Sequence, residues 1–142
     1  MRVLVIDGQG GGLGRQLVSA IAAACPEAEL IAVGTNSLAA SAMLKAGAAR
    51  VATGENAVLV NSRRADIIVG PLGIVIADAL MGEITPAMAA AVGQSSAKRV
   101  LVPVSQCDNF LAGMPDQPVG RLVAAAAQQV RALCTGNACG RG

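Results

Sequence analysis

The chain has 142 residues, of which 14% are charged and 54% hydrophobic, with 11 basic and 9 acidic residues giving a net charge of +2. That length fits one domain, set here at residues 1–134 with 135–142 as a flexible tail. So small and thinly scattered a basic excess, with one Phe and neither Tyr nor Trp, excludes a nucleic-acid groove or a base-stacking platform. Absence of a long uninterrupted apolar run argues against a membrane span, and the first residues do not read as a signal peptide. Four scattered cysteines and no histidine leave no zinc-site pattern, and a reduced, cytoplasmic chain is expected.

In chain order the elements alternate. Arg2–Asp7 is a buried strand and Gly11–Ala24 a helix stopped by Pro26. Ala28–Val33 is the second strand, and Thr35 or Asn36 caps a helix that Gly47 ends after Ala46. Arg50–Ala52 is a short strand, Glu55–Arg64 a helix and Asp66–Gly70 the fourth strand. Leu72–Met81 is read as a helix despite Ile74-Val75-Ile76, because it continues the alternation. Pro86 opens the helix Ala87–Val92, Lys98–Val104 is the fifth strand, and Phe110–Ala112 is a small strand within a loop. Pro118 opens the last helix, with Leu122, Ala126, Val130 and Leu133 on one face. Apolar strands separated by helices predict a doubly wound α/β fold: a mostly parallel five-stranded sheet with helices on both faces.

So few charges leave little to cover the surface of so small a domain. A homodimer or larger assembly is therefore expected, against the alternative of a monomer with an alanine-rich exterior.

The strongest chemical signal is Gly8-Gln9-Gly10-Gly11-Gly12-Leu13-Gly14, which follows the first strand and opens the first helix. Glycines turn where other residues clash and let backbone amides approach a phosphate, while the helix dipole supplies positive potential. The alternative is a strand–helix turn that is merely glycine-rich. No Gly-Lys-Ser/Thr follows, and Gly-x-Gly-x-x-Gly is not matched cleanly. Gly8, Gly12 and Gly14 do reproduce Gly-x-x-x-Gly-x-Gly, with the aliphatic Leu13 between the last two. In this the first 37 or so residues resemble the short-chain dehydrogenases, which implies an NAD(P)-type cofactor or another nucleotide. Those enzymes use a Tyr for proton transfer. This chain has none, so the resemblance does not extend to their catalysis.

At the end of the second strand, where an acid would hold a ribose hydroxyl, stands Gly34-Thr35-Asn36-Ser37. Thr35, Asn36 and Ser37 either bond a ribose or phosphate as donors or only cap the next helix. Arg15 is the one arginine near enough for a 2′-phosphate. The other strand ends on this rim, including Gly70-Pro71, are small or polar, and Gly70 and Pro71 join the candidate ligand-binding set. Catalytic candidates are few: Glu55 at a helix start, Asp78 in an apolar stretch that Glu83 follows, and Cys107 beside Asp108. Asp7 reads as a brace for the glycine loop, and Lys45 as a solvated helix residue. Cys134 and Cys139 are placed to bridge adventitiously.

Residues 7–14, 34–48, 52–57 and 70–86 together are similar to a family of small bacterial proteins of unknown function, a likeness reaching to about Val123. It implies a small cytoplasmic Rossmann-like protein and brings no activity or catalytic residue. The expected function is binding of a nucleotide or phosphorylated metabolite. Either a reaction at Glu55, Asp78 or Cys107 accompanies that binding, or the chain is a non-enzymatic sensing or accessory subunit, or an assembly protein without a ligand.

Overall fold

The structure is a computed structural model, and it describes residues 1–104 and 108–136. Five strands, β1 (Arg2–Asp7), β2 (Glu29–Gly34), β3 (Arg50–Thr53), β4 (Ile67–Pro71) and β5 (Lys98–Val102), form one parallel sheet in the order β3-β2-β1-β4-β5. The helices are α1 (Gly12–Ala24), α2 (Ser37–Ala46), α3 (Glu55–Arg64), α4 (Pro86–Gln94) and α5 (Val119–Cys134).

Alternation along the strands divides the core. Val3, Val5, Leu30, Ala32 and Val69 face α1, α2 and α5, whereas Leu4, Ile6, Ile31, Val33 and Ile68 face α3 and α4. The inner strands are apolar on both faces because helices cover both. The edge strands are more polar: Arg50, Lys98 and Arg99 are exposed, which discourages pairing with another sheet.

The chain winds from β1 through β2 to β3 on one side, then returns to β4 on the other side of β1. The switch point therefore lies between β1 and β4. Their carboxyl ends open where ligands sit in sheets of this kind.

Local chemistry accounts for most boundaries. Asn36 caps α2, its Oδ1 accepting from Ala39 N at 2.9 Å, and Gly47 ends that helix at φ 119°. Thr35 lies outside the cap. Thr85 caps α4, whose first residue is Pro86. Two expectations are corrected. Residues 72–81 are not a helix: a single 3-10 turn, Leu72–Val75, gives way to a knot of turns in which Asp78 (φ 67°), Leu80 (φ 55°) and Met81 (φ 56°) are all left-handed. A helix cannot pass through three such residues. Phe110–Ala112 is turn and irregular backbone rather than strand, and Phe110 is 92% exposed. Cys107, Cys139 and residues 137–142 of the expected tail lie outside the described residues.

At the opposite end of the sheet, Cys25 closes α1, and its buried thiol neighbours that of Cys134 in the last turn of α5. Both are free thiols. Burial first, and then the Cys134 thiol, push Cys25 up to about 11.

Gly70 shows how tightly the switch point is closed. A Cβ there would fall inside van der Waals distance of the Ile6 carbonyl oxygen and within 2.9 Å of Ile74 Cδ1. Backbone in the neighbouring strand cannot yield. Gly70→Ala is therefore expected to destabilise the fold by about 2 kcal/mol or more, read from the denaturant midpoint.

Candidate functional site

The glycine loop leaves β1 at its carboxyl end and turns at once. Gly11 N donates to Gly8 O at 2.9 Å, with Gln9 (φ 50°) and Gly11 (φ 73°) both left-handed. Asp7, buried at the last position of β1, reaches forward into the first turn of α1. Its Oδ2 accepts from Gly14 N at 2.6 Å. The loop is thus wound around its own carboxylate, so Asp7 braces it. Burial raises the Asp7 carboxyl above its ordinary value. The Gly14 and Gly8 amides pull it down, and the charge of Glu83 adds to the rise.

The five glycines fall into two groups. Gly8, Gly11 and Gly14 are demanded by the fold. A Cβ at Gly8 would lie 2.5 Å from Thr35 Oγ1, at Gly11 2.8 Å from Ala39 Cα, and at Gly14 2.7 Å from Asp7 Cβ and Met43 Sδ. Gly10 and Gly12 are different. Neither is left-handed, and a Cβ at either would meet nothing within 4 Å. The amides of Gly10, Gly12 and Leu13 have no partner among the described residues. The last two are orphan donors of the first helical turn.

Glu83, outside the expected ligand-binding set, proves central to the rim. It arrives on the β4–α4 connection, and its Oε1 accepts three hydrogen bonds: from Gln9 N at 3.0 Å, Thr35 Oγ1 at 2.5 Å and Asn36 Nδ2 at 2.8 Å. Asn36 Nδ2 also donates to Gln9 O at 2.9 Å. Burial alone would raise Glu83, but the bonds from Thr35, Gln9 and Asn36 outweigh it and hold the carboxyl below its ordinary value. The left-handed residues before Glu83 lie in turns closed by local backbone bonds, Glu83 N donating to Leu80 O and Ile84 N to Ala79 O, each at 3.1 Å. Strain of this kind persists where the surroundings over-determine it. Thr35 and Asn36 form a cluster of donors at a strand end that carries no acid of its own. Nothing in the sequence singles out Glu83 as their acceptor.

The remaining candidates are dispersed. Ser37 is the exposed first residue of α2. Gly70 and Pro71 are buried within β4, where the Ile6 contact accounts for the glycine. Glu55 is exposed at the start of α3, and Asp78 is exposed in the turn. Neither hydrogen-bonds to the glycine loop. Arg15 is exposed on α1 and shares an open groove of about 680 Å³ with Lys45, lined also by Ala42 and Val123. Among the described residues no cluster of His, Cys, Asp or Glu is arranged to hold a metal. No helix there is long and apolar enough to cross a membrane.

A five-stranded parallel sheet with a glycine loop at its switch point defines a doubly wound, Rossmann-like α/β protein. More particularly, the chain belongs to the family described as Domain of unknown function (DUF3842), whose model matches residues 2–135. No curated protein matches it significantly. Among solved structures it is similar to a dodecameric FMN-dependent UbiX-like decarboxylase from Escherichia coli O157:H7. That likeness has 21% identity over 91% of this chain and 75% of the other, with a TM-score of 0.44. It is also similar to a universal stress protein in complex with cAMP, with 23% identity over 70% of this chain and 95% of the other, and a TM-score of 0.40.

Asp7 and Glu83 titrate with opposite consequences. Asp7, raised, favours its protonated form in the fold, so its contribution to stability is lost as pH rises from its ordinary value of 3.8 through the folded one. Asp7→Asn keeps an oxygen for Gly14 N without the charge. Its melting temperature relative to wild type is expected to improve as pH rises through the folded Asp7 value. Glu83, lowered, contributes stability that is present above its ordinary 4.5 and lost as pH falls through the folded value. Melting curves across pH for both proteins check the sign.

Proposed function

We propose that this protein binds a nucleotide, or a similarly phosphorylated small molecule, at the β1–α1 glycine loop. The observation that carries the reading is the open space over Gly10 and Gly12. Three of the glycines are needed by the protein's own packing, but these two are not. Their hydrogens face space that a side chain would fill, beside three unpartnered amides. Backbone stripped of side chains at the start of a 13-residue helix suits an oxyanion, which takes amide donors and gains from the dipole. Of the expected ligand-binding residues, the reading keeps Gly10, Gly12 and Leu13 as direct donors. Gly8, Gly11 and Gly14 shape the loop, while Gln9, Thr35 and Asn36 are engaged by Glu83. A dinucleotide of the NAD(P) type is the finer version of this reading, and nothing in the donor set favours it over a mononucleotide.

The protein is taken as a binding or sensing module rather than a catalyst. The rim acids nearest the loop, Asp7 and Glu83, are committed to internal donors, and Glu55 and Asp78 stand apart from it. The chain supplies neither His nor Tyr for proton transfer. The same reading takes the molecule as a homo-oligomer, since Leu38 and Leu44 of α2 stand 66% and 51% exposed. Light scattering on the purified protein is expected to give at least twice the 14.0 kDa chain mass.

Thermal unfolding against a panel of nucleotides, coenzymes and sugar phosphates tests the ligand reading. A compound at about 100 times its dissociation constant adds roughly 2.7 kcal/mol, a rise of several degrees for a domain of this size. Gly12→Val is expected to fold normally and abolish that shift. Gly14→Val, which drives a side chain into Asp7 and Met43, is expected to lower the melting temperature without any ligand. Failure of every compound to shift wild type overturns the proposal, as does a shift that survives Gly12→Val.

A further inference from the structure

We propose that Cys25 and Cys134 form a redox-active pair, which a hydroperoxide converts into a disulfide that pins the end of α5 to the end of α1. The pair lies at the opposite end of the sheet from the glycine loop, and the inference does not depend on the reading of that loop. Its two sulfurs come from distant parts of the sequence. Cys25 follows the last turn of α1, where its backbone N–H donates to Ile21 O at 2.8 Å, and it is 1% exposed. Cys134 is the last residue of α5 and packs against the same apolar cluster. The two thiols hydrogen-bond to each other.

Both positions are held by their surroundings. Leu17 and Ile21 of α1 pack in one cluster with Ala126 and Val130 of α5. Arg131 Nη1 donates to Ala24 O at 3.1 Å and so joins the two helix ends beside the sulfurs. Thr135 N donates to Arg131 O at 3.0 Å and closes the turn that carries Cys134. Both thiols are free, so the pair is in its reduced form. Two sulfurs held in contact on packed helices react as an intramolecular couple, with their ordering already supplied by the fold.

Access sets the order of events. Cys134 is only partly buried, whereas Cys25 is closed to solutes. Cys25 is also held protonated, by burial first and then by the Cys134 thiol. Cys134 therefore reacts first. Its sulfur takes the terminal oxygen of the hydroperoxide, the O–O bond breaks, and a sulfenic acid forms with release of an alcohol or water. The Cys25 sulfur then attacks the Cys134 sulfur. The S–O bond breaks, and the hydroxyl leaves as water with the Cys25 proton. Together the two thiols give up two electrons and two protons, and the peroxide takes both. An accessible cysteine beside a resolving thiol is the arrangement that such chemistry requires.

Treatment of the reduced, whole protein with hydrogen peroxide, followed by peptide mapping, tests this. The expected product has the Cys25 and Cys134 peptides joined. Its melting temperature should stand several degrees above that of the reduced protein, because a link between residues so distant in sequence restricts the unfolded chain. Dithiothreitol should reverse both changes. Cys25→Ser is expected to stop at a Cys134 sulfenic acid, captured by dimedone, and Cys134→Ser to leave Cys25 reduced. Melting curves of the two reduced variants show whether each folds, and the mapping on wild type decides the proposal even where one does not. Cys134 joined to Cys107 or Cys139 instead would overturn it. So would a Cys25 that stays reduced while Cys134 is carried on to the sulfinic acid, or a chain whose thiols all survive prolonged exposure. A Cys25–Cys134 link that lowers the melting temperature would overturn the pinning of α5 to α1, and oxidation of Cys25 in Cys134→Ser the order of events.

Discussion

The buried carboxylate of Asp7 sets the geometry of the whole rim. A carboxylate out of water must find donors, and this one finds Gly14 N in the first turn of α1. That bond returns the chain to the end of β1 within seven residues. Such a path requires left-handed backbone at Gln9 and Gly11, close approach to Asp7 and Met43 at Gly14, and room beside Thr35 at Gly8. The order of the sheet does the rest. Because β1 is central, a loop wound at its end borders both β2 and β4, and side chains from distant parts of the chain meet over it.

The second carboxylate, Glu83, depends on the first arrangement. Gln9 N is presented to it only because the loop turns as it does. Two acids thus flank one short loop in different states. Asp7 is raised by burial and committed to the helix, and Glu83 is lowered by its donors Thr35, Gln9 and Asn36. Their separate roles follow from environment rather than residue type. The glycine cluster divides in the same way: three positions serve the chain's own packing and two leave open space. A motif counted as five equivalent glycines hides that division.

Much of the architecture was legible because it is local. Apolar strands, Pro86 at a helix start, Thr35 or Asn36 as a cap and Gly47 as a stop all act within a few residues, and the alternation they mark already implies a parallel sheet covered on both faces. The connection after β4 was misread for a physical reason. Ala77 to Met81 has helix-forming composition, but Asp78, Leu80 and Met81 sit in the left-handed region, in turns closed by backbone bonds such as Gly82 N to Asp78 O. Composition carries no trace of a partner 47 residues away. The geometry of the candidate loop was legible because its motif is contiguous, whereas the contacts made at the β2 end were not. There Thr35 and Asn36 were visible as donors, but the acceptor they serve lay elsewhere in the chain.

The thiol pair at the far end of the molecule gives the fold an internal clock. With Cys25 pushed up to about 11, its thiol stays protonated at neutral pH, and the sulfur is buried beside Cys134 in the last turn of α5. Alkylation of Cys25 must therefore wait for α5 to lift from α1. The rate of that reaction reports how often this contact opens.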